Sequence, residues 1–163
     1  MPEREMYYLT EEGARQLEQR IGEIRAKMAE DAKWLTNSPA LSAPIEDYYH
    51  SQLELNRLLA IQKQAHIVNQ EEAQKLGIGR RITILDPEVG EPEEFVVLSS
   101  QESKPSEGII SFESPLAMAT LGRENGEVIE ITTPSGRQQI TLLQTNWIFF
   151  NVNDENRDQE KRN

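Results

Sequence analysis

Ile109 to Gly136 reads IISFESPLAMATLGRENGEVIEITTPSG. The apolar run Ile109 to Phe112 predicts a short strand. Ser114-Pro115 predicts a helix start, because a serine hydroxyl accepts from the first free amides and proline suits the first helical position. This helix of one or two turns ends at Leu121-Gly122, and Gly126 turns the chain into a second strand from Val128 to Ile131. Pro134-Ser135-Gly136 is a hairpin signal. Strand, capped helix, strand and turn in close succession specify a compact sheet carrying one helix.

Working outward, alternation continues on both sides of this block. Arg81-Ile82-Thr83-Ile84-Leu85 and Phe95-Val96-Val97-Leu98 read as strands, separated by a turn region at Asp86-Pro87, Gly90 and Pro92. Ser99 to Gly108 is polar and loop-like. Gln139 to Leu143 and Asn146 to Phe150 supply the final strand material. From Asn153 to Asn163 there is no apolar residue and both charge signs mix, which predicts a disordered tail. The expected C-terminal half, 77–152, is a mostly antiparallel sheet with one short helix.

Before Leu76-Gly77 the period is helical. Thr10 is a candidate N-cap, and Ala14, Leu17, Ile21, Ile24 and Met28 recur at steps of three or four, one stripe on a helix reaching about Leu35. Acidic residues lead this helix and Lys27 and Lys33 follow, an order that suits the helix dipole. Thr36-Asn37-Ser38-Pro39 breaks it. A second helix starts near Ile45 to Asp47 and runs through Tyr49, Leu53, Leu55, Leu58, Leu59, Ile61, Ala65 and Val68. Two such helices and a short loop predict an antiparallel coiled-coil hairpin over 1–76, with its tip at about 36–47. Gln52, Asn56, Gln62 and His66 interrupt the second stripe.

The 163 residues carry a net charge of −11 and no cysteine. Absence of cysteine excludes a disulfide framework, a thiolate nucleophile and a cysteine zinc site. The acidic balance argues against wrapping nucleic acid, whose footprint is a basic face. No apolar run approaches a membrane span and no signal-peptide pattern follows Met1, so a cytoplasmic protein that does not engage membranes is expected. His50 and His66 have no partner at ligand spacing. Met28 and Met118 are expected in the core, and Tyr48 and Tyr49 in packing near the tip.

The order of residues resembles the bacterial Gre family, transcription factors that enter the secondary channel of RNA polymerase. That family runs Ile-Ser-Ile-x-Ser-Pro, Ala-x-Leu-Gly, Gly-Asp-x-Val and Thr-Pro-x-Gly. The counterparts are Ile110-Ser111-Phe112-Glu113-Ser114-Pro115, Ala119-Thr120-Leu121-Gly122, Gly126-Glu127-Val128-Ile129 and Thr133-Pro134-Ser135-Gly136. Leu9-Thr10-Glu11-Glu12-Gly13, Gly79-Arg80-Arg81-Ile82-Thr83-Ile84 and Tyr49-His50 extend the resemblance to about residues 9–147. It implies an α+β protein: a coiled-coil hairpin followed by an FKBP-like domain. It also implies a monomer that anchors on the polymerase and projects its hairpin into the channel, meeting DNA and RNA only through that complex. The family's Asp-Ser-Pro contacts the polymerase. The resemblance therefore assigns polymerase binding to Glu113, Ser114, Pro115, Leu116, Leu121 and Gly122, with plain N-capping by Ser114 as the alternative at that junction.

Cleavage-stimulating members carry an Asp-x-x-Glu pair at the hairpin tip, which completes coordination of a second Mg²⁺ in the polymerase site. Counted back from Tyr49-His50, that pair falls on Ser42 and Ile45, and neither is a carboxylate. The nearest acids are Glu46 and Asp47, read either as substitutes in a slipped register or as first-turn residues facing the helix dipole. The expectation is a channel-binding regulator of elongation or initiation, neither an enzyme nor the holder of a cofactor, with Mg²⁺ relevant only if Glu46 and Asp47 serve the tip. A protein-interaction module of Gre ancestry that has left the polymerase is the alternative. Prolyl isomerisation would need an aromatic-walled pocket from Phe95, Phe112, Trp147, Phe149 and Phe150, and fold alone does not carry that function.

Overall fold

The computed structural model describes residues 6–37 and 43–148. The predicted tail, Phe149, Phe150 and Ser42 lie outside them. The chain divides into two compact units, Met1–Ile67 and Val68–Asn163.

The first unit contains β1 (Tyr7–Leu9), α1 (Glu11–Asn37), α2 (Ala43–Gln64) and β2 (Ala65–Ile67). Thr10 caps α1 as its sequence predicts: the Gly13 amide donates to its hydroxyl at 2.9 Å. β1 and β2 pair in parallel with Leu9 opposite Ile67, which joins the two ends of the helical pair. Ile21 and Ile24 of α1 and Ser51 and Ile61 of α2 are buried. The half-buried Leu17, Met28 and Leu35 continue the inner stripe of α1. Arg20 bridges the helices, donating from Nη2 to Glu54 Oε1 at 2.9 Å. At 27 residues α1 is about 40 Å long.

The second helix stops earlier than its periodicity predicts. Ala65 to Ile67 leave the helix to form β2, where they pair in register with Tyr7–Leu9. The Tyr8 and His66 rings meet edge to face with centroids 5.9 Å apart. Tyr49 is not packed as predicted: it is 61% exposed, on the same side of α2 as the exposed Ile45 and Leu53. Half-buried Tyr48 meets it edge to face, with ring centroids 6.4 Å apart.

The second unit opens with α3 (Gln70–Leu76), then β3 (Arg80–Leu85), β4 (Pro92–Leu98), a 3-10 turn at Pro105–Glu107, β5 (Ile109–Ser111), α4 (Pro115–Thr120), β6 (Val128–Thr133) and β7 (Gly136–Trp147). The boundary predicted at Leu76-Gly77 differs from the division after Ile67, and α3 accounts for the difference. Asn69 and Glu72 form a reciprocal capping box. At the other end, left-handed Gly77 and the Ile78 amide, which donates to Ala73 at 2.8 Å, close a Schellman turn leading into β3.

The strand order is β5-β4-β3-β7-β6. Every pairing is antiparallel except β4 with β5, which is parallel, so the sheet is mixed rather than purely antiparallel. The strand predicted at 139–143 and the first residues of the one predicted at 146–150, Asn146 and Trp147, belong to a single strand, β7. Thr83 pairs with Gln144 but Ile84 with Leu142, so Leu143 is an extra residue bulged out of the ladder. That bulge shifts the inside-outside alternation and makes one strand read as two. Ile82, Ile84, Val97, Ile129, Ile131, Ile140 and Leu142 form the buried face, and Ala117 brings α4 down onto it.

Candidate docking surface

Three local devices fix the junction between β5 and α4. The β4–β5 register sets Leu98 opposite Ser111, and the next amide, Phe112, still donates to Leu98 at 2.8 Å. The chain then turns at Ser111–Ser114, where the Ser114 amide donates to the Ser111 carbonyl at 2.9 Å. Finally, Ser114 caps α4 by accepting from the Ala117 amide at 3.2 Å, with Pro115 at the first helical position. The capping alternative and an exposed Glu113 therefore coexist.

The exposed surface follows from the helix period. Glu113, Pro115, Met118 and Leu121 are exposed, while Ala117 and Thr120 are buried. Met118, predicted in the core, is 59% exposed, because the helix turns it away from the buried side that carries Ala117 and Thr120. Leu116 is half-buried and packs on the sheet, so its side chain supports the helix. Leu121 caps the helix end and packs over Gly77, and Gly122 follows in a left-handed conformation at φ 73°.

The Glu113 carboxylate is tethered. Ser100, in the loop after β4, donates to Glu113 Oε2. The Ser100 and Ser111 hydroxyl oxygens are 2.7 Å apart, and the Glu113 amide donates to Ser111 Oγ at 3.1 Å. The sequence did not single out Ser100 and read Met118 as core: Ser100 sits in a polar stretch without a pattern, and a helix of six residues has too few turns to display its outer face.

Arg80 holds α4 from beneath. It is 2% exposed, and its guanidinium reaches the Gly77 carbonyl from Nε at 3.0 Å, the Ala117 carbonyl from Nη2 at 2.7 Å and Thr120 Oγ1 from Nη1 at 3.4 Å. Burial lowers its pKa from 12.5 to about 10, so it stays charged at neutral pH.

At the other unit's tip, Ile45, Glu46 and Asp47 lie exposed in the first two turns of α2. Adjacent positions on a helix point roughly 100° apart, whereas positions three apart share a face. Glu46 and Asp47 therefore leave the helix in different directions. Of the aromatics considered for an isomerase pocket, Phe95 and Phe112 pack against the sheet core.

Residues 70–146 match the family model described as the C-terminal domain of transcription elongation factors GreA/GreB. The transcription elongation factor GreA of Roseiflexus castenholzii is 30% identical over 148 residues, covering 83% of this chain and 94% of that protein. The GreA of Roseiflexus sp. strain RS-1 is 32% identical, with 83% and 94% covered. The chain belongs to the GreA/GreB family of transcription elongation factors. Among solved structures, GreA factor homolog 1 of Thermus thermophilus is 24% identical with a TM-score of 0.41, covering 87% of this chain and 99% of that one. Within the GreA/GreB match lie the whole β5–α4 junction and Arg80, whereas the hairpin precedes it.

Proposed function

We propose that this GreA/GreB-family protein binds RNA polymerase through the β5–α4 junction and inserts its hairpin into the secondary channel, regulating elongation or initiation without stimulating transcript cleavage. The observation that carries the reading is a tethered carboxylate, Glu113, standing beside exposed Pro115, Met118 and Leu121. A fixed negative charge flanked by apolar side chains suits a protein surface with a cationic residue over an apolar floor. Family membership supplies the transcriptional context. The partner's nucleic acids are reached only through the polymerase, consistent with a net charge of −11. The protein acts as a cytoplasmic monomer, holds no cofactor and is not itself an enzyme.

The absence of cleavage stimulation rests on the tip. Serine and isoleucine occupy positions 42 and 45, where the resemblance puts the metal-completing acids, and Glu46 and Asp47 point apart. Co-purification with core RNA polymerase, with wild type and Glu113→Lys, tests the binding; the wild type should be retained and the variant lost. Retention of neither above background would leave the alternative, an interaction module for another partner. Stalled elongation complexes supplied with Mg²⁺ should show transcript shortening no faster than the polymerase alone. Robust cleavage abolished by Glu46→Ala or Asp47→Ala would reverse the reading of the tip.

A further inference from the structure

The hydroxyl protons around Glu113 can be assigned by counting. Ser100 has one hydroxyl proton, and the carboxylate of Glu113, an acceptor only, takes it at Oε2. The 2.7 Å contact between Ser100 Oγ and Ser111 Oγ must then use the Ser111 proton, with Ser100 Oγ accepting. Ser111 Oγ in turn accepts from the Glu113 amide. The result is a closed ring: Glu113 N–H to Ser111, Ser111 O–H to Ser100, Ser100 O–H back to the Glu113 carboxylate. Each hydroxyl donates once and accepts once, so every member polarises the next.

The loop bearing Ser100 is itself braced. Ser99 is fully buried and donates to Glu102 Oε2 at 2.6 Å, and Ser103 Oγ donates to the Ser100 carbonyl at 3.1 Å. Ser100 is therefore fixed by structure that does not depend on Glu113. The ring also needs the length of glutamate. An aspartate at 113 would withdraw the carboxylate by one methylene, about 1.5 Å, out of reach of a hydroxyl at hydrogen-bond distance.

We propose that Ser100 is a positioning residue for Glu113: the hydroxyl ring ties down Oε2, fixes the rotamer of an otherwise mobile exposed side chain, and presents Oε1 to a single cationic side chain of the partner. This rests on the polymerase-docking reading above. Pre-ordering the carboxylate removes side-chain entropy that binding would otherwise have to overcome.

The test combines binding and side-chain order in wild type, Ser100→Ala, Ser100→Thr, Glu113→Asp and the Ser100→Ala/Glu113→Asp double variant. Affinity for core RNA polymerase should fall about three- to tenfold in Ser100→Ala and recover in Ser100→Thr, with the melting temperature unchanged in both. Glu113→Asp should weaken binding as well, and the double variant should be no worse than the weaker single, since both break one ring. Scalar couplings across the Glu113 methylenes should report one rotamer in wild type and averaging in Ser100→Ala, a readout independent of any partner. Wild-type affinity in Ser100→Ala, alongside loss in Glu113→Lys, would overturn the positioning role while leaving the docking reading intact. No binding by the wild type would overturn the docking reading, and the couplings would then decide the ring by themselves.

Discussion

Arg80 Nη2 donates to the carbonyl of Ala117 at 2.7 Å, tying the first residue of β3 to the middle of α4 across the core. No carboxylate shares this site among the described hydrogen bonds and ion pairs. The charge is balanced by carbonyl dipoles of two helices: Gly77 caps α3, and the Ala117 carbonyl is the first of the last four in α4. Cations are favoured at helix C-termini because the unpaired carbonyls there carry partial negative charge. Thr120 completes the arrangement by accepting from Nη1 while donating to the Leu116 carbonyl at 2.9 Å.

Removing the guanidinium relieves one cost and creates another. Arg80→Met would spare the desolvation that lowers the arginine pKa, yet take its donor from the buried Gly77 carbonyl and leave the Ala117 carbonyl with the Thr120 hydroxyl at 3.1 Å. The second effect should win, with a net loss of about 2 kcal/mol in urea denaturation. Arg80→Lys should be no better than Met. It keeps a buried charge but, with one ammonium, cannot reproduce the fixed pair of donors that the Nε–Nη2 edge of the guanidinium aims at the two carbonyls.

Gly77 carries the complementary constraint. Its φ of 77° disfavours any side chain, and a methyl group there would press on the Arg80 guanidinium and Leu121. Gly77→Ala should cost about 1 to 3 kcal/mol in the same denaturation experiment, and should not add fully to Arg80→Met because the two share contacts.

These two residues mark the limit of what the sequence showed. Elements with their own chemistry were legible: the Thr10 cap, the Ser114-Pro115 helix start, the Pro134-Ser135-Gly136 hairpin and the alternation of β3 and β4. The capping box Asn69-x-x-Glu72 was equally readable as a helix signal, and the helical stripe running into Val68 obscured it. Arg80 was hidden for a different reason. It precedes the strand read from Arg81 onward; the alternation of β3 puts it on the face of Ile82 and Ile84 while Arg81 points to solvent and pairs with Glu94 at 3.5 Å, and only the arrival of α4 supplies the carbonyl that makes a buried arginine tenable there. The docking surface was half legible, because Glu113 stands in a motif, Met118 shows its outward face only once α4 is seated on the sheet, and Ser100 arrives from the loop after β4.

The turn before β6 should show a defined acid response. Glu127 accepts from the Glu124 amide at 3.2 Å and from Arg123 Nη1 at 2.7 Å, and these hold its pKa below the ordinary 4.5, the backbone bond contributing most. A carboxylate whose folded pKa is depressed stabilises the fold above its unfolded pKa and loses that contribution as pH falls through the folded value. The stability difference between wild type and Glu127→Gln should therefore be constant near neutrality. It should shrink once the pH drops below about 4.5, as measured by urea denaturation across an acid series.

The exposed stripe Ile45, Tyr49 and Leu53 should be neutral for folding. Leu53 is 67% exposed, so little apolar area is lost when it is replaced. Leu53→Ser should change stability by no more than about 0.5 kcal/mol, in contrast to Ile61→Ala on the inner face, which should cost about 2 to 4 kcal/mol. Thermal melts of the two variants check the assignment of faces.

The tip offers a gain-of-function test. If the cleavage chemistry is missing only because positions 42 and 45 lack carboxylates, then Ser42→Asp with Ile45→Glu should restore the two acids at the positions the resemblance assigns and let them complete a second Mg²⁺. Stalled elongation complexes with the double variant should then shorten their transcripts faster than with wild type, and either single variant should fall short because one carboxylate leaves the ion under-coordinated. The Ile45→Glu change replaces an exposed apolar side chain on α2, so the fold should tolerate it. Equal, polymerase-limited shortening in all four proteins, with binding retained, would instead place the obstacle in the shape of the loop and not in its missing acids.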